Sequence, residues 1–272
     1  MIEGITEWLP ISSTGHMILA EQVLKFSFSA EFMEMFRVVI QLGAILAVVV
    51  LYFKKLWPFC SDNGRDSGLA RHIRWPVMRL WGKILVACLP AAVLGLLLDD
   101  WMDAHLYNSV VVAIMLIVYG IAFILIERRP RVPTTTKLSR ITYKQAIIVG
   151  AWQVLALIPG TSRSGATIIG GLLCGMSRAC ASQFTFFLAI PVMAGASGLK
   201  LVKFLAKGGV FTLGEVGTLL VGCIVAFVVS ILAIRFLMDY VKKHTFTVFG
   251  WYRIALGILV LGIWVLQSFV LA

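Results

Sequence analysis

Long apolar runs separated by short polar stretches dominate the chain. A bilayer span needs about 20 mostly apolar residues. Six runs meet or approach that length: 36–53, 83–98, 108–126, 184–206, 216–238 and 250–271. Two other apolar stretches are interrupted. Residues 1–24 are cut by Leu9-Pro10 and then Ser12-Ser13-Thr14-Gly15, and residues 145–176 by Pro159-Gly160 and then Thr161-Ser162-Arg163-Ser164-Gly165. Pro and Gly break a helix, and each half is too short to cross. Helix, break, helix is the pattern of a re-entrant hairpin. The expected fold is an all-α polytopic membrane protein, with six transmembrane helices and two re-entrant helix-loop-helix hairpins.

The two halves read alike. Residues 1–127 run hairpin, span, span, span, and residues 145–271 repeat that order after a basic loop at 128–144. Three spans per half is an odd number, so the second half enters from the opposite side. The expectation is an inverted-topology repeat within a single membrane domain, 1–272. Loop charge sets the orientation. Lys54, Lys55, Arg65, Arg71, Arg74 and Arg79 mark the 54–82 loop as cytoplasmic; Arg128, Arg129, Arg131, Lys137, Arg140 and Lys144 mark 127–144, and Lys242 and Lys243 mark 239–249. Asp99, Asp100 and Asp103 put the 99–107 loop outside, and alternation puts 207–215, with its Lys207, on the same side. The first hairpin then enters from outside and the second from the cytoplasm, with their tips meeting near the midplane. Met1-Ile2-Glu3 has no basic or apolar leader before it, so no cleavable signal peptide is expected. The abrupt start suggests a first half-helix short of a few N-terminal residues.

Composition sharpens this reading. Of 272 residues, 60% are apolar or aromatic and 14% charged, and the mean hydropathy is +0.95. Soluble domains carry about 25% charged residues, so a soluble globule, a disordered chain and a disulfide scaffold are all excluded. The net charge of +11 would suggest nucleic acid in a soluble protein. Here cytoplasmic loops account for it, and no nucleic-acid partner is expected. Five scattered cysteines without a C-x-x-C pair give neither a disulfide framework nor a zinc site.

The chemistry gathers at the two breaks. Ser12, Ser13, Thr14, Ser162 and Ser164 are helix-starting residues, and a helix N-terminus offers free N–H groups and a positive dipole end to an anion. Arg163 adds a planar, permanently charged fork suited to phosphate oxygens. His16 follows Ser13 by three residues, on one helix face, which sets an acid or base near a hydroxyl. Glu3 and Glu7 share a face of the preceding half-helix, as a cation site or a proton-transfer pair would require. Each residue alone has a blander reading as a cap or a satisfied core group. Four ionisable groups at membrane depth beside two helix starts favour a functional site. Elsewhere the bland readings stand. Asp99, Asp100, Asp103 and His105 read as a solvated loop, Arg235 and Arg253 as snorkelling at helix ends, the eight tryptophans mostly as interface anchors, and Gly43, Gly95 and Gly195 as packing glycines.

Together these residues are identifiable. Glu3-Gly4-Ile5-Thr6-Glu7-Trp8-Leu9-Pro10-Ile11-Ser12-Ser13-Thr14-Gly15-His16 closely resembles the first signature of the bacterial undecaprenyl-diphosphate phosphatases, the bacitracin-resistance family. Pro159-Gly160-Thr161-Ser162-Arg163-Ser164-Gly165-Ala166-Thr167 resembles its second. Val38 to Leu46 and Phe187 to Pro191 are also similar, and the likeness runs from Glu3 to about Gly262. It implies a phosphatase of the bacterial cytoplasmic membrane, converting undecaprenyl diphosphate to the monophosphate and inorganic phosphate. That reaction recycles the lipid carrier for wall polymers and gives bacitracin resistance. Carried over, Ser13 is the nucleophile with Thr14 beside it, His16 the catalytic histidine, Arg163 the phosphate-binding arginine, and Glu3 and Glu7 the acidic pair. The family's divalent cation, Mg²⁺ or Ca²⁺, would sit on Glu3 and Glu7, and its site opens to the periplasmic side. The partners implied are a polyprenyl diphosphate and membrane lipids, with a homodimer left open. Two positions depart from the family: Arg37 stands where an acid is common, and Gln183 where Glu is common.

Two mechanisms follow for the enzyme: attack by Ser13 with His16 as general base, or direct attack by His16. A lipid-carrier transporter or flippase using the same inverted-repeat site is the alternative, because fold alone does not fix function. A phosphatidic-acid-type phosphatase is excluded, since Arg129-Pro130 lacks the required upstream Lys and Ser177-Arg178 lacks the following His.

Overall fold

Eleven α-helices make up almost all regular structure in this computed structural model, which describes residues 1–23, 30–61, 72–129, 132–206 and 208–270. In chain order they are α1 (Ile2–Thr6), α2 (Ser13–Val23), α3 (Ala30–Leu51), α4 (Phe53–Leu56), α5 (Trp75–Leu106), α6 (Ser109–Glu127), α7 (Tyr143–Val154), α8 (Arg163–Leu173), α9 (Arg178–Ala206), α10 (Leu213–Lys243) and α11 (Thr247–Val270). Among the described residues, β-pairing is limited to isolated bridges at Phe59–Ile73 and Thr135–Met176. Arg65, Arg71, Arg131 and Lys207, used above for orientation, lie outside the described residues.

Among the described residues, five helical segments are long and apolar enough to cross a bilayer: Trp75–Leu98, Ser109–Glu127, Arg178–Ala206, Leu213–Lys243 and Thr247–Phe269. The run expected at 36–53 falls largely on α3, whose apolar segment among the described residues is Met35–Leu51. Large apolar side chains such as Leu89, Leu96, Leu97, Ile224, Leu232 and Phe269 stay exposed along these helices. A surface so apolar is covered by lipid, and the protein is a multi-pass membrane protein.

The helices outrun their apolar stretches. α5 begins at Trp75 and continues to Leu106, so the expected loop at 99–107 is helical nearly throughout. α10 carries on through Lys242 and Lys243, where a loop was expected. Hydropathy registers the bilayer's thickness, whereas backbone hydrogen bonding continues into the polar zone until a cap ends it. At the opposite ends, Thr142 and Thr212 cap the N-termini of α7 and α10, each as a capping box with Gln145 and Glu215 respectively.

Small residues set the closest approaches. A Cβ on Gly43 would lie 2.3 Å from the Cys223 carbonyl oxygen, and one on Gly150 would lie 2.3 Å from that of Ala87. A Cβ on Gly120 of α6 would lie 2.7 Å from the Gly250 carbonyl oxygen of α11, and one on Gly250 2.7 Å from that of Gly120. These contacts bring α3 against α10, α5 against α7 and α6 against α11. Gly95 meets only an ordinary contact and Gly195 nothing within 4 Å, so of the three expected packing glycines Gly43 alone acts as one. At another helix junction, Glu127 at the end of α6 takes Arg178 Nε at 2.8 Å and the Phe246 N–H at 3.1 Å, joining α6, α9 and the turn before α11.

Both interrupted stretches contain a break between helices. α1 gives way to turns from Glu7 to Ile11 before α2 starts, and α7 passes through a single 3₁₀ turn, Leu155–Leu157, before α8 starts. α1 packs on α2 and α7 on α8, so each stretch folds back on itself. Ser12 and Ser162 immediately precede α2 and α8, both at φ +70°, the only non-glycine residues with positive φ among those described. Holding a serine there costs roughly 1–3 kcal/mol, which the surroundings must supply.

Candidate active site

The two breaks meet through side chains. Glu7, in the turn after α1, receives Arg163, the first residue of α8: Nε at 3.2 Å and Nη2 at 3.0 Å both donate to Glu7 Oε1. Arg163 Nη1 donates to the Thr185 carbonyl at 3.2 Å, and its guanidinium lies 6.0 Å above the ring of Trp8. Both members of the pair are largely withdrawn from solvent, so the fork is held in one orientation. Three of the guanidinium's five N–H groups are committed to protein, and the rest can serve an incoming anion.

Ser13 Oγ donates to the other oxygen of the same carboxylate, Glu7 Oε2, at 3.2 Å. His16, expected beside Ser13, is engaged elsewhere. Its Nδ1 meets the Ser12 carbonyl at 2.7 Å and its Nε2 the Tyr252 hydroxyl at 2.8 Å. Sequence spacing put His16 and Ser13 on one helical face correctly. It could not show that two closer partners take both ring nitrogens.

Ser162 caps α8, its Oγ accepting from the Gly165 N–H at 3.3 Å and lying 3.1 Å from Ser164 Oγ. Ser164 reaches across to the Leu9 carbonyl of the other break at 3.3 Å. Ser12, Thr161 and Ser164 are buried, whereas Ser13, Thr14, His16 and Ser162 remain half-buried. The accessible polar groups are therefore the helix starts, with the ion pair behind them.

Arg253 is the largest correction. Placed by sequence at a helix end, it is completely buried. Its Nη1 donates to the Pro10 carbonyl at 3.2 Å, and Nη2 to the carbonyls of Gly160 and Thr161, both at 2.8 Å. One guanidinium thus satisfies carbonyls that both breaks leave without helical partners. Its face rests on Tyr119, 5.5 Å away. Trp8 likewise departs from the interface role: it is fully buried, edge-on to Phe186 at 5.4 Å, while Trp57, Trp75, Trp101, Trp251 and Trp264 are exposed.

Glu3 lies one turn before Glu7 and is buried, with Oε1 lacking a hydrogen-bond partner and the Gln41 side chain bonded to its carboxyl. The surrounding donors are oxygens: Glu3, Glu7, Ser13 and the Gln41 amide. That set, with an unmatched buried carboxylate oxygen, fits a hard divalent cation. No group of three or more His, Cys, Asp or Glu side chains placed to hold a metal ion occurs among the described residues, so such an ion would rely on water and substrate for its remaining ligands.

A family model described as bacitracin resistance protein BacA matches residues 1–259. An undecaprenyl-diphosphatase of Enterococcus faecalis is 61% identical over 266 residues, 97% of this chain and 94% of its own. Proteins of the same name from Streptococcus gordonii, 58% identical over 271 residues, and Desulfitobacterium hafniense, 57% over 267, cover 98% and 96% of this chain and 94% and 92% of theirs.

Proposed function

The chain belongs to the bacitracin resistance protein BacA family, and on that premise we propose that it hydrolyses undecaprenyl diphosphate to undecaprenyl phosphate and inorganic phosphate. The reaction returns the lipid carrier to cell-wall synthesis. The observation that carries the mechanism is the Glu7 carboxylate, shared between the Ser13 hydroxyl and Arg163.

In this reading Ser13 Oγ attacks the terminal phosphorus while its proton passes to Glu7 Oε2, already its hydrogen-bond acceptor. The bond from that phosphorus to the bridging oxygen breaks, and undecaprenyl phosphate leaves. Water then attacks the phosphoserine and gives up a proton to the side of His16, while Ser13 recovers its own from Glu7 and phosphate departs. Arg163 and the N–H groups at the starts of α2 and α8 stabilise the charge on the phosphoryl oxygens. Glu3, Glu7, Ser13 and Gln41 would hold a Mg²⁺ or Ca²⁺ ion, which when bound would neutralise diphosphate charge.

The reading extends to topology. Two breaks with matching serines at φ +70°, and two hairpins each folded back on itself, support re-entrant hairpins within an inverted repeat of 1–127 and 145–271. The α3–α9 and α6–α11 pairings, between helices at corresponding places in the two halves, support it as well. The loop charges favour the cytoplasmic membrane with the first hairpin entering from outside, and so a site open to the outer face. A transporter reading rests on architecture alone, and nothing in the polar contacts favours it. Phosphate release by the purified protein in detergent separates the two. The enzyme releases one phosphate per polyprenyl diphosphate consumed, whereas a transporter releases none.

A further inference from the structure

The Tyr252 hydroxyl meets His16 in a geometry that a structural role does not require. The Ser12 carbonyl can only accept, so the 2.7 Å contact at Nδ1 puts a proton on that nitrogen. In the neutral ring Nε2 then holds the free lone pair, and the Tyr252 hydroxyl at 2.8 Å is its donor. The two rings lie parallel, 8° apart in plane and 5.6 Å between centroids. A buried tyrosine hydroxyl must find a partner, but the Tyr252 side chain is 45% exposed and under no such obligation. Its neighbour Arg253 anchors the same turn of α11 to Pro10, Gly160 and Thr161. Tyr252 is thereby presented to His16 from a fixed base.

We propose that the Tyr252 hydroxyl relays a proton in the phosphatase reaction: it gives its own proton to His16 Nε2, which the Ser12 carbonyl on Nδ1–H keeps as the acceptor, and takes one from the attacking water. The proposal rests on the reaction described above, in which His16 acts in the release of phosphate. Phe at this position keeps the stacked ring and removes only the donor.

The test is a double-mutant cycle on the purified full-length protein, with Tyr252→Phe, His16→Gln and the pair measured for kcat and KM on a polyprenyl diphosphate. Tyr252→Phe is expected to lower kcat about tenfold, the scale of one lost hydrogen bond to a reacting group. KM should stay within about twofold, and in the His16→Gln background Tyr252→Phe should have no further effect. Nitrogen NMR of the histidine side chains should show His16 as the Nδ1–H tautomer in the native protein and in Tyr252→Phe alike, because the Ser12 carbonyl sets it. Native kcat in Tyr252→Phe, or a loss that persists undiminished in the His16→Gln background, overturns the proposal and leaves the phosphatase reading intact. Absence of phosphate release from the native protein overturns the reading itself, and a native nitrogen spectrum with His16 as the Nε2–H tautomer overturns the relay on its own.

Discussion

Glu7 and Arg163 stand 156 residues apart in the chain and 3.0 Å apart in the site. The arginine directs two N–H groups at a single carboxylate oxygen and leaves the second oxygen to Ser13. A lysine keeps the charge but cannot reproduce the fork while also reaching the Thr185 carbonyl. Arg163→Lys should therefore insert and fold normally, yet lose at least about two orders of magnitude in turnover, the scale for one preorganised donor. Steady-state phosphate release checks this, and near-native turnover in a folded Arg163→Lys protein would remove Arg163 from the phosphate site.

Arg253 supports the breaks from behind. Arg253→Met leaves the carbonyls of Pro10, Gly160 and Thr161 buried and unpaired. At about 1 kcal/mol or more for each, the loss should amount to at least about 3 kcal/mol. Arg253→Lys can reach the carbonyls of only one break and should fall between. Thermal unfolding in detergent, read beside activity, should show Met below Lys below native in both. A Met variant with native unfolding temperature would contradict the clamp.

The glycines offer a contrast within one experiment. Gly43→Ala and Gly150→Ala place a methyl group 2.3 Å from a backbone carbonyl oxygen, where nothing flexible can give way. Overpacking of this kind costs about 1–3 kcal/mol. Gly195→Ala adds its methyl in open space and should cost nothing. Unfolding temperatures of the three variants measure the difference directly.

Glu3 bears on the cation. Its unpaired Oε1 and the bond from Gln41 suit it to bind an ion without disturbing the Glu7–Arg163 pair. Glu3→Gln should raise the Mg²⁺ or Ca²⁺ concentration needed for half-maximal rate by about tenfold or more, consistent with losing a charged ligand. An unchanged metal titration with a reduced maximal rate would assign Glu3 to proton transfer.

Much of this was legible in the sequence because membrane placement makes ionisable residues conspicuous. Glu3, Glu7, His16 and Arg163 stood out against apolar surroundings, and the Pro and Gly breaks located the helix starts beside them. Pairing was not legible. Spacing assigned Ser13 to His16 because they share a helix face, whereas the carboxylate that receives Ser13 lies six residues earlier, beyond the turn. Arg253 looked like a snorkelling residue because hydropathy reports depth along a helix and not the direction a side chain takes. Its partners come from two breaks that sequence alone does not bring together. The ends of α5 and α10 were misjudged for a related reason, since an apolar window ends where the lipid ends and the helix does not.

The central claim is that Ser13, activated by Glu7, carries the phosphoryl group. Rapid quenching of the protein during turnover in a neutral denaturant, which preserves both phosphoserine and phosphohistidine, followed by mass spectrometry of the peptide holding residues 1–23, tests it most directly. The account predicts phosphate on Ser13 in the native protein, none in Ser13→Ala or Glu7→Gln, and accumulation in His16→Gln, where release of the phosphoryl group is slowed. Phosphate found on His16, or native turnover in Ser13→Ala, would contradict it.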